Sequence, residues 1–357
     1  MKLKAAIISL GSTSSKWIAK AMKKYFDEVD EYDIRDIEVN LGKKPEVLHK
    51  GKIIPEYDCV YAKGSFRYNP LLRAITTIIY NKSYMPIAAT AFTIGQDKLL
   101  TQLKLDQNNI PMPKTYLAST PKSARNILKK INYPIIMKFP EGTQGKGVMY
   151  ADSFASASSL LDALTALKQP FLIQEYVETG GVDIRAFVIG DEVIAMKRKA
   201  EKGEERANIH AGGEGIPVLL DYEQKKIAVN AAKTIGAEIC GVDILESIKG
   251  PLVIEVNLSP GLQGITAATN IDIADKIARL LYEKTSSIKK SEKDKGATEI
   301  MKVITEDNEI EKEIITNLVF RGEKILLPEL ASKISKIKEE DEVCLKLKKG
   351  KIVIEKS

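Results

Sequence analysis

The sequence predicts a chain of the α/β class, with a small N-terminal α/β domain, a larger core domain and a small β-rich C-terminal domain. Three stretches carry this prediction: a strand, loop and helix near the start, a glycine-rich loop at 141–147, and a hairpin at 241–261. The expected bounds are 1–90 for the first domain, 91–284 for the core, 285–298 for a polar linker and 299–357 for the last domain.

The composition excludes several classes of protein. The 357 residues are 44% hydrophobic and 29% charged, which is typical of a soluble chain with domains of roughly 150 residues. The net charge of +6 suits an enzyme for anionic substrates and does not by itself indicate nucleic acid. Cys59, Cys240 and Cys344 lie far apart, which predicts no disulfide framework or zinc site and favours a reducing cytoplasm. Because no apolar stretch reaches roughly 20 residues, no membrane span is expected.

A β-loop-α unit opens the N-terminal domain. The loop of small residues after the first strand could hold an anion on free backbone amides. Capping of the following helix by Ser14 or Ser15 is the simpler role, and we favour it. The predicted strands of this domain are 4–10 and 57–62, and the predicted helices are 16–26 and 70–81.

The glycine-rich loop EGTQGKG lies between a predicted strand at 133–139 and a second at 148–151. Walker and Rossmann loops both lead into a helix, so this loop belongs to neither type. Its glycines allow backbone amides to approach and cover phosphates, and Lys138 at the end of the first strand can reach the same phosphates. A flexible hairpin turn is the alternative, and the loop alone does not exclude it.

Polar residues interrupt the next apolar strand, at 171–177. Gln174 and Glu175 could bind an adenine amine or a ribose hydroxyl, although Glu175 could instead begin a solvated turn. Paired strands at 183–189 and 192–196 lead into a basic run at 197–199. We expect this run to contact phosphate or a substrate carboxylate, since arginine suits bidentate contacts to both; a solvated surface is the alternative.

The hairpin at 241–261 carries three converging oxygen side chains. Folding it about Lys249 places Asp243 opposite Glu255, and strand alternation puts both on one face with Asn257. Two carboxylates opposite each other repel unless a cation lies between them, and Mg²⁺ prefers such ligands with water and phosphate oxygens. An edge hairpin with a solvated face is the alternative. The opposite, apolar face is expected to hold Val242, Ile244, Leu252, Ile254, Val256 and Leu258, with Leu245 and Val253 beside the acids.

A set of motifs in this order resembles the ATP-grasp superfamily, and more narrowly the RimK-type α-L-glutamate ligases. The resemblance is dense from about residue 85 to 284, and the joint spacing is more specific than any single motif. The motifs are Gln96-Asp97-Lys98, Lys138 with EGTQGKGV, Gln174-Glu175-Tyr176, Asp183-Ile184-Arg185, Arg198 through Asn208, Gly241-Val242-Asp243 and Glu255 through Gly261.

The resemblance implies a pre-ATP-grasp domain before a two-lobed ATP-grasp core, with ATP and two Mg²⁺ or Mn²⁺ ions as cofactors. It implies that Asp243, Glu255 and Asn257 hold the metal, and that Arg198, Arg206 and Asn208 face the acyl phosphate or amino acid. The residues implied in nucleotide binding are Lys98, Lys138, Gly142, Gln144, Gly145, Gly147, Gln174, Glu175, Tyr176 and Asp183.

The tail from about residue 324 resembles the small swapped-hairpin domains of AbrB and MazE type regulators, which form intertwined dimers. We expect a strand at 325–328, a helix at 329–338 and a hairpin turning at Lys349 and Gly350. Residues 291–357 hold 14 basic and 15 acidic side chains, a net charge of −1, whereas a DNA-binding surface needs clustered positive charge. A homo-oligomer is therefore expected ahead of DNA binding.

The resemblance implies an ATP-dependent carboxylate-amine ligase that adds L-glutamate to an acceptor through an acyl phosphate. The acceptor carboxylate could belong to a pterin or deazaflavin cofactor, an amino-acid carrier protein or a ribosomal protein terminus. A nucleotide-sensing, DNA-binding regulator without turnover is the alternative of a different class. The joint presence of Lys138, Asp243, Glu255 and Asn257 argues against the regulator, since a sensor could dispense with the metal geometry.

Overall fold

The computed structural model describes residues 2–140, 147–199, 214–304, 319–322, 324–326, 335, 337–338, 341–349 and 351–356. The chain divides into two compact units, Met1–Glu292 and Lys293–Ser357. Within the described ranges, no helix is both long and apolar enough to cross a membrane.

The N-terminal domain is built on a parallel sheet of three strands. Strand β1 lies in the centre between β2 and β6, and a separate antiparallel sheet is formed by β3, β4 and β5. The strands are β1 (Lys4–Ser9), β2 (Glu28–Asp33), β3 (Ile37–Asn40), β4 (Glu46–His49), β5 (Lys52–Ile53) and β6 (Cys59–Ala62). The helices are α1 (Thr13–Met22) and α2 (Asn69–Ile79), with 3₁₀ turns at Ile34–Asp36 and Phe66–Tyr68.

Helix α1 begins three residues earlier than predicted, because Ser12 is its N-cap. The Ser12 Oγ accepts a hydrogen bond from the Ser15 N–H, so the expectation that Ser14 or Ser15 caps the helix is wrong. Ser14 instead makes long-range contacts. Its Oγ accepts from the Leu262 N–H at 2.8 Å and donates to Gln263 Oε1 at 2.7 Å, which ties α1 to the segment after the central hairpin.

The first lobe of the core domain contains an antiparallel sheet in the order β7-β10-β8-β9, covered by α5 and α6. Its apolar side chains form a small cluster separate from the main core. Thr120 is the N-cap of α5, and Pro121 is its first residue. The elements are α3 (Ala89–Ile94), α4 (Lys98–Gln107), β7 (Thr115–Tyr116), α5 (Pro121–Leu128), β8 (Ile135–Lys138), β9 (Val148–Ala151), α6 (Phe154–Ala166) and β10 (Leu172–Glu175).

The second lobe contains an antiparallel sheet in the order β13-β12-β11-β14-β15. Its buried side chains share one continuous core with the N-terminal sheet, which explains why the two domains form a single compact unit. The elements are β11 (Val182–Ile189), β12 (Glu192–Lys199), β13 (Glu214–Val218), α7 (Tyr222–Ile235), β14 (Ile239–Ser247), β15 (Gly250–Asn257), α8 (Gln263–Thr269) and α9 (Ile273–Ile304).

Helix α9 extends well beyond the predicted end near Lys284. The stretch 285–298, expected to be a polar linker, is helical in the structure. Thr285 is buried, which favours continuation of the helix past that point, and its hydroxyl donates to the Leu281 carbonyl at 2.6 Å. The stretch holds no proline, and its one glycine lowers helix propensity without ending the helix.

The central hairpin has the predicted pairing of Asp243 with Glu255, but a β-bulge changes the faces beyond it. Ile244 pairs with Val253, so Ile254 is an extra residue on β15 and the two-residue turn lies at 248–249. Val253 is therefore buried in the core, whereas Ile254, expected on the apolar face, is only partly buried. The prediction of the faces is correct at Asp243 and at Ile244 on β14, and it is wrong for Val253 and Ile254 on β15.

The C-terminal unit contains two hairpins. Strands β16 (Val319–Arg321) and β17 (Lys324–Leu326) pair, as do β18 (Val343–Lys348) and β19 (Lys351–Lys356). In the second hairpin Lys348 pairs with Lys351, which agrees with the predicted position of the turn. The expected helix at 329–338 lies almost entirely outside the described residues.

Candidate active site

The candidate site joins polar residues from both lobes of the core domain. Lys138 lies on β8 in the first lobe and Glu255 on β15 in the second, and each shifts the pKa of the other. Lys98, the first residue of α4, acts on both groups. The structure therefore brings together the two lysines and the acidic hairpin that the sequence placed far apart along the chain.

Lys138 is held at the end of β8 by a chain of buried hydrogen bonds. Its Nζ donates to Gln174 Oε1 at 2.9 Å, and Gln174 Nε2 donates to Thr115 Oγ1 at 2.7 Å. Burial and the nearby Lys98 charge together lower the pKa of Lys138 to about 8, against the opposing effect of Glu255. The ammonium group is thus positioned in a site with few compensating charges, which suits an anionic ligand.

Lys98 is positioned by the start of its helix. The Asp97 side chain caps α4 by accepting from the Leu99 N–H at 2.7 Å. The Lys98 N–H donates to the Pro140 carbonyl at 3.1 Å, immediately before the glycine-rich loop. The helix start, the end of β8 and the beginning of the loop therefore meet at one place.

Gly147 closes the glycine-rich loop and needs to be glycine. Its φ is +79°, and a Cβ built there would lie 2.2 Å from Phe139 Cδ2. Its carbonyl accepts from the Phe139 N–H at 3.2 Å, which starts the pairing of β8 with β9. Gly142, Gln144 and Gly145 lie outside the described residues.

The segment expected next to adenine follows the end of β10. The Glu175 N–H donates to the Lys114 carbonyl at 2.9 Å, which fixes the strand end against the extended segment before β7. The ring of Tyr176 meets that of Tyr150 edge to face, with centroids 5.4 Å apart.

Four charged side chains form a buried network across three neighbouring strands. Asp183 and Arg185 lie on β11, Arg198 lies opposite Asp183 on β12, and Asp243 lies opposite Arg185 on β14. Arg198 donates to Asp183 at 2.6 and 2.5 Å and approaches Asp243 Oδ2 at 2.9 Å through Nη2. Arg185 donates to Asp243 through Nε, and through Nη2 at 2.7 Å. Two guanidinium groups thus compensate two carboxylates.

The two carboxylates of this network differ in their proton affinity. Burial and the nearby Asp243 raise the pKa of Asp183 to about 6, against the opposing effect of Arg198. Burial also opposes ionisation of Asp243, but Arg185 and Arg198 outweigh it and hold the pKa of Asp243 below its usual value.

Glu255 lies opposite Asp243 across the hairpin. Burial and the Asp243 charge raise the pKa of Glu255, whereas Lys98, Arg185 and Lys138 lower it. The like-charge repulsion expected from the sequence is therefore present in this pair, and Arg185 is the cation that most directly relieves it on the Asp243 side.

Asn257 lies two residues after Glu255 on the same strand, at the pairing position of Gly241. Its Oδ1 accepts from the Ser259 N–H at 2.9 Å, which orients the amide at the start of the following turn. Asp243, Glu255 and Asn257 thus line one side of the hairpin.

This donor set fits a divalent cation that is bound together with phosphate. It offers two carboxylates and one amide oxygen, and no group of three or more His, Cys, Asp and Glu ligands occurs among the described residues. Mg²⁺ is commonly held by one or two carboxylates, with water and substrate phosphates completing its shell. Lys98 and Lys138 lie beside the acids and can compensate the phosphate charge.

The sequence did not reveal two members of the site. Arg185 was part of a motif but had no assigned partner, because β11 and β14 are distant in sequence and adjacent only in the sheet. Thr115 supports Gln174 from the edge strand β7, and no sequence pattern indicated that contact. Arg206 and Asn208, expected to face the substrate, lie outside the described residues.

A family model described as the RimK-like ATP-grasp domain matches residues 95–281. The probable alpha-L-glutamate ligase of Vibrio cholerae serotype O1 (strain M66-2) is 38% identical over 304 residues, covering 82% of this chain and 100% of that protein. The probable alpha-L-glutamate ligase of Legionella pneumophila (strain Corby) is 39% identical over 255 residues, covering 69% of this chain and 83% of its own length.

Two groups of solved structures share the fold. The ATP-grasp ligase PsnB, solved with a phosphomimetic variant of its minimal precursor, Mg and ADP, matches with a TM-score of 0.63 and 19% identity over 80% of this chain and 99% of its own. The macrocyclase MdnC of Microcystis aeruginosa MRC, bound with precursor peptide MdnA, matches with a TM-score of 0.59 and 13% identity. The match covers 79% of this chain and 100% of the MdnC chain. At these identities the likeness establishes the fold.

Proposed function

Because the chain belongs to the RimK-like ATP-grasp family and is an ATP-dependent ligase, we propose that it joins the amine of L-glutamate to a carboxylate of an acceptor. The acceptor carboxylate oxygen attacks the γ-phosphorus of ATP, and ADP leaves to give an acyl phosphate. The glutamate amine then attacks the acyl carbon, phosphate leaves, the nitrogen loses a proton and an amide remains. No covalent enzyme intermediate is needed.

The proposal is carried by the meeting of two lysines and two carboxylates in one partly buried site. Lys98 and Lys138 act on the same Glu255 that faces Asp243. Phosphoryl transfer depends mainly on positioned charges that stabilise the moving phosphate, and such charges are most effective away from bulk water. Alternating positive and negative groups of this kind suit a nucleotide phosphate accompanied by a divalent cation.

We assign the nucleotide and metal roles to the chain as follows. Lys98 and Lys138 contact phosphates, and the loop containing Gly142, Gln144, Gly145 and Gly147 covers them. Asp243, Glu255 and Asn257 would hold two Mg²⁺ or Mn²⁺ ions. When bound, these ions would neutralise the phosphate charge. The remaining nucleotide contacts are assigned to Gln174, Glu175, Tyr176 and Asp183.

Substrate contacts are assigned to Arg198, Arg206 and Asn208. Arg198 contacts Asp183 through Nε and Nη2, and Asp243 through Nη2. These contacts do not use Nη1, which can therefore donate to a ligand. An arginine held on one edge by carboxylates is a positioned donor for an acyl phosphate or a carboxylate.

Two classes of acceptor fit the proposal: a small cofactor with a carboxylate, and a carboxylate of a protein or peptide. The likeness to PsnB and MdnC, both solved with precursor peptides, supports keeping a peptide acceptor among the candidates. The relatives named probable alpha-L-glutamate ligases support glutamate as the amine donor.

The direct test is ADP release by the purified chain with ATP and Mg²⁺. L-Glutamate is combined with a small-molecule extract or with a protein extract, and each extract is also tested alone. Release that needs both glutamate and one extract supports the proposal and selects the acceptor class. If ATP binds and no combination stimulates release, the proposal fails.

Arg185→Gln is expected to change metal binding in the nucleotide-free protein. In the structure Arg185 supplies positive charge to Asp243, and a divalent cation must compete for the same carboxylate. Removing this competitor should tighten Mn²⁺ binding about tenfold, equivalent to about 1.4 kcal/mol, and should lower the melting temperature in EDTA because part of a buried ion pair is lost. Mn²⁺ affinity is read by electron paramagnetic resonance and melting by calorimetry.

Arg35→Gln is the matched control, since Arg35 pairs with Asp33 on the surface and is 63% exposed. It should leave Mn²⁺ affinity unchanged. Unchanged or weaker Mn²⁺ binding by Arg185→Gln would show that Arg185 does not compete with the cation.

We further propose that the C-terminal unit associates with a second copy of itself. On the β18–β19 hairpin, Leu345 and Leu347 are 56% and 68% exposed on one face, and Ile352 lies opposite Leu347 on that face. A two-stranded hairpin is marginal alone, and an identical hairpin offers an equally apolar face to cover this one. The near-neutral charge of residues 291–357 favours this over binding to DNA.

The double variant Leu345→Lys with Leu347→Lys is expected to convert a dimer into a monomer, because it introduces four like charges into the pair interface. Light scattering after size exclusion gives the mass. A control double variant, Lys346→Gln with Lys348→Gln, alters the other face of the same strand and should keep the wild-type mass. A monomeric wild-type chain would contradict the proposal.

A further inference from the structure

Lys63 is a buried ammonium group outside the site described above. It follows the last residue of β6 and is 4% exposed, and its Nζ makes no hydrogen bond or ion pair within the part of the chain that the structure describes. Its Nζ lies 5.8 Å from the centre of the Tyr61 ring. Burial lowers the pKa of Lys63 to about 8, with no neighbouring acid to oppose it. Uncompensated buried charge is costly, so a lysine kept at this position suggests a ligand.

The topology places Lys63 where open α/β sheets bind ligands. From β1 the chain crosses through α1 to β2 on one side, and from β6 it crosses through α2 to Tyr84, which pairs in parallel with Cys59 on the other side. The direction in which successive strands are added to the sheet therefore reverses between β1 and β6. Ligands of such sheets bind in the crevice at the carboxyl ends of the strands, at this reversal.

Lys63 lies at that crevice. Its N–H donates to the Ile8 carbonyl at 2.9 Å, which pairs the two strands up to their carboxyl ends. Ser9 follows Ile8 at the end of β1, and it is also buried. The side chains of Ser9 and Lys63 share one face of the sheet, since residues at matching positions of adjacent strands point the same way.

The same edge of the N-terminal sheet borders the candidate active site. Ser14, in the first turn of α1, bonds to Leu262 and Gln263, a few residues after Asn257. The pKa of Tyr61, which contacts Lys63, is raised by burial and by the nearby Cys240. The next residue, Gly241, packs against Arg185: a Cβ added there would lie 3.1 Å from the Arg185 side chain.

We propose that Lys63 binds a carboxylate of one of the two substrates in the crevice between β1 and β6, a role that rests on the ligase function proposed above. The ligand group is a carboxylate, and it binds the Lys63 ammonium group, which is shielded from water. The carboxylate belongs either to the amino acid, whose α- and γ-carboxylates are not the reacting groups, or to the acceptor. The Ser14 contacts join this edge of the sheet to the segment after Asn257, so a substrate bound at Lys63 would lie near the groups proposed for phosphoryl transfer.

Thermal stability without ligand is the first readout, because it does not depend on activity. Lys63→Met should raise the melting temperature by several degrees, since it removes a buried charge that lacks a partner in the free protein. The matched control Lys16→Met replaces an exposed lysine of α1 and should leave the melting temperature unchanged. A lower melting temperature for Lys63→Met would assign Lys63 a structural role and overturn the proposal.

Kinetics then identify the substrate. With the ADP-release assay, KM is measured for L-glutamate at saturating acceptor fraction, and for the acceptor fraction at saturating glutamate. Lys63→Met should raise one of the two values about 10- to 100-fold, as expected for the loss of one charged hydrogen bond, and Lys63→Arg should recover part of the loss. An effect on the glutamate KM assigns the amino acid, and an effect on the acceptor KM assigns the acceptor.

The affinity for ADP with Mg²⁺ should remain that of the wild type in both variants. If the wild type turns over and neither KM changes in Lys63→Met, the carboxylate site is refuted while the ligase function stands. If the wild type shows no glutamate-dependent release, the ligase function fails, and the site is judged by whether L-glutamate raises the melting temperature of the wild type more than that of Lys63→Met. An equal shift excludes the amino-acid carboxylate, and an equal shift with the acceptor fraction as well overturns the site.

Discussion

Glu255→Gln should lose about 10²–10³-fold in kcat while the chain folds normally. Glu255 faces Asp243 across the hairpin and is acted on by Lys98 and Lys138, so it is the carboxylate that joins the two lobes of the site electrostatically. Glutamine keeps the shape but offers a neutral oxygen, which weakens the hold on a divalent cation and leaves the lysine charges without their counter-charge.

The stability of Glu255→Gln separates this loss from unfolding. The pKa of Glu255 is raised by burial and by Asp243, so folding of the metal-free protein increases the proton affinity of this carboxyl group. Stability linked to this proton is present at low pH and is lost as the pH rises through the folded-state pKa. Glutamine imitates the protonated form, so its melting temperature in EDTA at neutral pH should equal or exceed that of the wild type.

Glu223→Gln is the matched control, since Glu223 is exposed in the first turn of α7. It should retain wild-type turnover. Near-normal turnover by Glu255→Gln, at saturating Mg²⁺ and ATP, would remove Glu255 from the metal site and with it the proposed role of the hairpin.

Lys138→Met should also lose about 10²–10³-fold in kcat, together with much of the affinity for ATP. Lys138 reaches the site from the strand that leads into the glycine-rich loop, and its Nζ is fixed by Gln174. Methionine fills the same space without a charge or a donor. ATP affinity is measured by calorimetry with Mg²⁺ present, and turnover by ADP release.

The pH dependence of the free energy of unfolding tests whether Lys138 is buried in the folded protein. The folded-state pKa of Lys138, about 8, lies below the usual lysine value of 10.5, so the charge costs folding free energy below about pH 8. This cost disappears as the pH rises from 8 towards 10.5. Lys138→Met avoids the cost but leaves Gln174 Oε1 without its donor, so the two effects oppose each other and the net change in melting temperature should be small.

Lys130→Met, which changes an exposed lysine near the end of α5, is the control for charge removal. Its ATP affinity and turnover should match the wild type. Retention of ATP affinity by Lys138→Met would show that the phosphates lie elsewhere and would also weaken the assignment of the glycine-rich loop.

Much of the fold was predictable because its signals are local. The glycine-rich loop was placed correctly between two strands, since glycine content and the flanking apolar runs lie within about twenty residues of each other. The pairing of Asp243 with Glu255 followed from the turn and strand alternation alone. The family predicted from the order of the motifs is confirmed.

Local signals were insufficient where several conformations have similar free energies. Ser12, Ser14 and Ser15 are all suitable N-caps, and the sequence does not separate them. The end of α9 was missed because lysine, glutamate and serine are compatible with both a linker and a helix, and burial of Thr285 continues the helix. The bulge at Ile254 adds one residue to β15 and exchanges the faces of the strand beyond it.

The sequence by itself determined the acidic hairpin and the lysine before the glycine-rich loop, because each depends on residues close together in the chain. It also determined the family, through the order and spacing of several such local motifs. Only the tertiary structure decided that Arg185 and Arg198 hold Asp243, and that Lys63 is buried without a counter-charge. These features arise from strands that are neighbours in a sheet but distant in sequence. The free energy of a buried charge depends on its neighbours and on the water it loses, and the chain specifies both only when it is folded.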